Sequence, residues 1–178
     1  QMLFVEGKWV YNDIINHLQD NELSSWNDKK KSVKVKQKDG SFVEKPLLYL
    51  RASHMQAMRD EVRYSLTSLS AKKKKGYKVG KLKFKSSCSS IPLRQFGNTH
   101  RIKSLSKVGI AGIKGDFRVH GLEQFSDNPN AEIANAKLIK KPDGYYIHWT
   151  VYIDKNKLTI IKKKNKEIGI DIRYHTSF

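Results

Sequence analysis

The chain has 178 residues, 38% of them hydrophobic, and carries 35 Lys and Arg against 17 Asp and Glu, for a formal net charge of +18. This length supports one sizeable core or two small ones, and no apolar run reaches the length of a membrane span. The single cysteine, Cys88, excludes an intrachain disulfide and a multi-cysteine zinc module within these residues, so a soluble chain in a reducing, cytoplasmic setting is expected. The cationic excess concentrates polyanions, and nucleic acid is the obvious cellular one.

Residues 1–6 lack a basic n-region and a long apolar h-region, so no secretory signal is expected. Residues 7–19 are predicted to form a helix: Val10, Ile14 and Leu18 recur at four, with Trp9, Tyr11 and Ile15 widening the apolar face. Between residues 29 and 43, Val33 and Val35 alternate with lysines around Asp39-Gly40, a pattern that fits either a weak exposed hairpin or a mobile basic loop. Pro46 interrupts it. A second helix is predicted over residues 52–69, where Met55, Met58, Val62, Leu66 and Leu69 recur at three and four. Its other side carries Arg51, Arg59 and Arg63, which form either an ordinary solvated face or a basic strip continuous with Lys72, Lys73, Lys74 and Lys75.

Beyond Gly80 the helical period disappears. In Lys81-Leu82-Lys83-Phe84-Lys85 the lysines take one side of a predicted strand, spaced about 6.6 to 6.8 Å apart. That spacing suits tracking a phosphodiester backbone; it equally suits an edge strand charged against aggregation. Short strands follow at residues 90–93, 101–102, 108–113 and 117–119, among glycines at 109, 112, 115 and 121. An acidic loop at 126–130 precedes a strand at 133–140, and Pro142-Asp143-Gly144 turns the chain into a strand at 145–153. Along that strand Tyr145, Ile147, Trp149, Val151 and Ile153 form one face, and Tyr146, His148, Thr150 and Tyr152 the other. Tyr146 and Tyr152 are either stacking platforms for bases or cross-strand packing partners. Many short strands with glycine corners suggest a small barrel.

After the basic run Lys162-Lys163-Lys164, the stripe Ile168, Ile170 and Ile172 predicts a half-buried strand with Asp171 on its opposite face. A carboxylate there is a candidate ligand for a divalent metal, but two-metal phosphodiester cleavage needs companion carboxylates, and none follows before Phe178. Cys88 sits among serines with no histidine nearby in sequence, which argues against a thiol nucleophile, and the six histidines show no metal-ligand spacing.

The order of these parts, a helical basic segment, Lys81-Leu82-Lys83-Phe84-Lys85, Ser90-Ile91-Pro92-Leu93, the hairpin Asp143-Gly144-Tyr145-Tyr146-Ile147 and Ile168-Gly169-Ile170-Asp171, resembles the amino-terminal half of the TnpB, or OrfB, proteins of insertion-sequence transposons. These are relatives of the type V CRISPR effector nucleases. The resemblance implies an α+β chain with a helical recognition segment (residues 1–76), a wedge-like, oligonucleotide-binding-type β-barrel gripping a guide RNA (77–161), and a basic linker into the first strand of a RuvC-like, RNase H fold nuclease (162–178). It makes Asp171 the first catalytic, metal-binding carboxylate, with Mg2+ or Mn2+ expected only in a complete nuclease. Arg173 departs from the small residue, commonly glycine, that the family places two positions after the acid. The family's later Glu, final Asp and four-cysteine zinc ribbon would follow Phe178, so the chain as it stands is expected to be catalytically incomplete.

The expected function is therefore nucleic-acid binding within a transposon-encoded, RNA-guided DNA endonuclease, without a membrane partner. The expected contacts are Arg59, Arg63, Lys72, Lys73, Lys74, Lys75, Lys81, Lys83, Lys85, Tyr146 and Tyr152. A standalone binding protein without cleavage and an inactive remnant of a decayed element are the alternatives.

Overall fold

An apolar stripe of helical period carries the first element, α1 (Met2–Gln19), which begins five residues earlier than its strongest periodicity suggests because Leu3 and Phe4 are also buried on that face. Gly7 lies on the same face, and the Ile91 side chain occupies the space where a Cβ would sit. The computed structural model of the chain describes residues 1–19, 23–37, 39–125 and 128–153. Lys162-Lys163-Lys164 and Asp171 lie outside them.

Asp13 of α1 fixes the chain that follows the helix, accepting from Trp26 Nε1 at 2.7 Å and from Lys30 Nζ at 2.6 Å. The basic stretch beyond is a hairpin, β1 (Ser32–Lys36) antiparallel to β2 (Phe42–Pro46), with Val35 opposite Val43. Asp39 closes its turn through Oδ1, which accepts from the Ser41 N–H and Oγ at 3.0 and 2.6 Å. Burial of Val33 anchors the hairpin to the core, which resolves the choice between hairpin and loop.

Between the hairpin and the second helix, Glu6 gathers three backbone donors. Its side chain is 1% exposed, with Oε1 accepting from Leu48 N–H at 2.8 Å and Oε2 from Tyr49 and Leu50 at 2.9 and 2.8 Å. A buried carboxylate requires such compensation, and here it ties α1 to the entry of α2 (Ala52–Lys74). At that entry the Arg51 N–H donates to His54 Nδ1 at 3.1 Å, so the third helical residue caps the first turn.

The second helix runs five residues past its predicted end. Lysine and alanine are good helix formers, and the stop comes at Gly76, whose φ of +82° is a left-handed conformation natural to glycine. Gly76 N–H donates to the Lys73 carbonyl at 2.9 Å and Tyr77 N–H to that of Lys72 at 3.1 Å, the two bonds of a Schellman cap.

The remaining strands form two antiparallel sheets. The first has the order β3 (Ser90–Leu93), β7 (Ala131–Lys141), β8 (Gly144–Ile153). The second has the order β4 (His100–Ser104), β5 (Lys107–Ile110), β6 (Asp116–Arg118). In the first, Ile91 pairs with Leu138, Leu138 with Ile147, Leu93 with Ala136 and Ala136 with Trp149, which puts these side chains on one face. With Val10, Ile14, Met55, Met58, Val62 and Val108, residues of that face enter a single buried cluster spanning the helices and both sheets.

Two expectations need correction. Residues 81–85 are not a strand: no ladder forms there, and Asn12 of α1 instead holds the Lys85 backbone, its Nδ2 donating to the Lys85 carbonyl at 2.9 Å and its Oδ1 accepting from the Lys85 N–H at 2.8 Å. Nor does a barrel close among the described residues, whose strands form separate sheets of two, three and three. The coarser α+β class holds.

Candidate nucleic-acid interface

The cationic stretch starts where α2 ends. Lys72, Lys73 and Lys74 occupy its last turn and Lys75 its C-cap, where positive charge complements the helix dipole. All four side chains are exposed, as are those of Lys78, Lys81 and Lys83, and none has an acidic partner among the described residues. From Gly76 the chain leaves without regular structure. Leu82 and Val79 turn inward, half-buried, while Tyr77 and Phe84 remain exposed at 65% and 52%. Lys85 closes the stretch differently, with its Nζ 3.9 Å from the centre of the Tyr11 ring in a cation–π contact. The result is an exposed ribbon of unpaired ammonium groups pinned at one end by the Schellman cap and at the other by Asn12.

Charge pairing separates the expected contacts. Arg63 is exposed with no ion pair among the described residues, whereas Arg59, on the same helix, reaches Asp28 at 3.2 Å and Asp60 at 3.8 Å. Arg59 therefore joins the post-α1 segment to α2. Arg94 and Lys137 are engaged likewise, with Asp60 at 2.9 Å and Glu61 at 2.7 Å. Beside the Arg94–Asp60 pair lies a polar cavity of about 500 Å³, lined among others by Gln56, Tyr64 and Asn135.

On β8 the expected faces are correct. Ile147, Trp149, Val151 and Ile153 are half-buried and Tyr146, His148, Thr150 and Tyr152 exposed, although Tyr145, expected with the inner set, is 56% exposed. Tyr146 is tied to its own turn: its hydroxyl donates to Asp143 Oδ2 at 2.6 Å, and Lys141 Nζ sits 4.5 Å from its ring centre. That bond pushes the Tyr146 hydroxyl pKa up and the Asp143 carboxyl pKa down. One ring face is thereby occupied. Tyr152, 60% exposed with no ring or hydrogen-bond partner among the described residues, is the freer platform.

Three groups outside the expected set stand out. His54 and His100 are buried, at 0% and 1% exposure, and the Nε2 of each has no partner among the described residues. Burial lowers both imidazoles to about 4, with the Arg51 and His100 charges adding to the effect on His54. Cys88 donates its thiol to the Ser90 carbonyl at 3.2 Å, and burial raises its pKa, which suits a packed side chain better than a nucleophile. The third group is the outer face of the β4-β5-β6 sheet, carrying Arg101, Lys103, Lys107 and Arg118. Its sequence signal was the alternation His100-Arg101-Ile102-Lys103, too short to specify a face without knowing the partner strand.

Among the described residues no helix is long and apolar enough to cross a membrane, and no group of three or more His, Cys, Asp or Glu side chains is placed to hold a metal ion. Asp171, expected as a metal ligand, is outside those residues. No family model, curated protein or solved structure matches the chain.

Proposed function

We propose that this chain binds nucleic acid through its cationic surface, as the RNA-gripping portion of a transposon-encoded protein of the TnpB/OrfB type. The observation that carries the binding is the contrast in pairing. Arg59, Arg94, Lys103 and Lys137 are neutralised by internal acids, whereas Lys72, Lys73, Lys74, Lys75, Lys78, Lys81 and Lys83 are left exposed on one continuous length of chain. Unneutralised charge concentrated on one segment repels itself, and phosphate relieves that repulsion while releasing counterions. The transposon context rests on the order of sequence parts alone. On this proposal Tyr152 stacks on a base, and Mg2+ or Mn2+ with Asp171 would serve only the complete nuclease.

The test is fluorescence anisotropy with a labelled structured RNA over a series of salt concentrations. Each lysine engaged on phosphate contributes about 0.7 to 0.9 to the slope of log K against log salt. Replacing Lys72, Lys73, Lys74 and Lys75 together by Gln, which preserves helix propensity, is expected to reduce that slope by about 3. Wild-type binding that ignores salt would overturn the proposal.

A further inference from the structure

Lys107 and Arg118 stand directly opposite one another in the β5–β6 ladder, and both are exposed. Like charges paired across strands destabilise a sheet. No acid among the described residues offsets this pair, because Asp116, the acid of the same face, is bonded to Lys103. In the next row Arg101 lies opposite Gly109, which lies opposite Asp116. A methyl at Gly109 would stand 3.1 Å from Lys103 Cε and 3.6 Å from Arg101 Cγ and Nε, so these two cationic side chains lie across the bare backbone of the central strand. A glycine in a strand interior marks just such a close approach. The other face of the sheet is committed to the core through Val108, at 0% exposure, so the charged face cannot exchange with it.

This face lies toward the opposite end of α2 from Lys72–Lys75. His54, in the first turn of α2, is near enough to His100 at the start of β4 to respond to its charge, and Gly112 after β5 packs on the Tyr49 backbone just before α2. Lys72–Lys75 stand at the opposite end of α2, roughly 30 Å further at 1.5 Å per residue, and from there the ribbon returns toward the helix middle, where Leu82 and Lys85 face Met58 and Val62. Screening over about 8 Å at physiological salt makes the sheet face and Lys72–Lys75 electrostatically independent.

We infer that the outer face of β4-β5-β6, through Arg101, Lys107 and Arg118, is a second phosphate-binding surface, and that the chain's ligand is a nucleic acid long enough to engage this face and Lys72–Lys75 at once. This rests on the nucleic-acid binding proposed above. At roughly 3 Å per base pair of an A-form duplex, roughly 30 Å corresponds to about ten base pairs. Below that length a duplex cannot span this face and Lys72–Lys75 together; above it the second contact is intramolecular and raises affinity.

The experiment compares labelled RNA duplexes of about 6 and about 24 base pairs. The proteins are the wild-type chain, the triple variant Arg101→Gln, Lys107→Gln, Arg118→Gln, and a charge-matched control, Lys34→Gln, Lys36→Gln, Lys45→Gln, on the β1–β2 hairpin. Circular dichroism and urea unfolding confirm that each variant folds. For the long duplex at about 0.1 M salt the sheet variant is expected to bind on the order of a hundredfold more weakly, with its salt slope reduced by about 2 to 3. For the short duplex its affinity falls by no more than about twofold, since the ribbon remains available. The control stays near wild type on both. Equal losses in the sheet variant and the control, equal losses on the two duplexes, or no loss on the long one each overturn the second surface while leaving the ribbon's binding intact. Absence of salt-dependent binding by the wild type defeats the underlying proposal instead.

Discussion

Replacing Glu6 by Gln tests the hydrogen-bonded joint between α1 and the entry to α2. The carboxylate accepts three backbone N–H bonds at 2.8 to 2.9 Å, two of them through Oε2. A glutamine can place its amide oxygen at the Oε2 position and keep the bonds from Tyr49 and Leu50, but they become neutral bonds, each weaker by roughly 1 kcal/mol. Its NH2 group then faces the Leu48 N–H, donor against donor, and the orphaned N–H costs about 1 to 3 kcal/mol. Relief from burying a charge offsets part of this, which leaves an expected destabilisation of about 2 to 3 kcal/mol. Urea unfolding monitored by tryptophan fluorescence measures it, and native-state hydrogen exchange locates it: the amides of Leu48, Tyr49 and Leu50 should lose protection selectively. A variant within about 0.5 kcal/mol of wild type, the scatter of neutral surface changes, with those amides still protected, would refute the reasoning.

The other expectations concern the buried histidines, a glycine and the cationic surfaces. An unfolded histidine protonates near 6.5, whereas folded His54 and His100 do so only at about 4. The unfolded chain therefore binds more protons as pH falls through that interval, and stability present above pH ~6.5 is lost on acidification. For His54 this amounts to about 2 kcal/mol between pH 7.5 and 5, read from urea midpoints at the two pH values, and His54→Asn should remove that share of the dependence. Gly112→Ala should cost at least about 3 kcal/mol, combining roughly 1 to 2 kcal/mol of left-handed backbone strain with displacement of the Tyr49 carbonyl from the space a Cβ needs. A melting temperature within about 3 °C of wild type would contradict it. The Lys72–Lys75 substitutions should lower the salt slope of RNA binding by about 3, and the sheet-face substitutions should weaken only ligands long enough to reach both surfaces.

Helices and hairpins were legible because periodicity is a local property. The three-and-four spacing of Met55, Met58 and Val62 gave α2, and alternation with turn residues gave the β7–β8 hairpin and made a hairpin one of two readings for residues 29–43, which burial of Val33 settled. Lys81-Leu82-Lys83-Phe84-Lys85 shows the limit. Alternation makes a strand only if a partner strand supplies hydrogen bonds, and here α1 reaches the backbone first through Asn12. The early end predicted for α2 has another cause: its apolar stripe ends near Leu69, but the helix needs no buried face over its last turn once a Schellman cap satisfies the carbonyls.

The cationic surplus, the exposed run Lys72-Lys73-Lys74-Lys75 and the inward and outward sides of most of β8 are consequences of residue order, since covalent neighbours and a fixed backbone period decide them. Which charges remain free was decided only by folding. Arg59 and Arg63 look alike along a helix, yet Asp28, 31 residues before Arg59 in the chain, neutralises one and leaves the other exposed; Lys107 and Arg118, apart in sequence, become an uncompensated pair across a ladder. Electrostatic partnership depends on distances between side chains rather than on spacing along the backbone, so it is settled only when the elements pack.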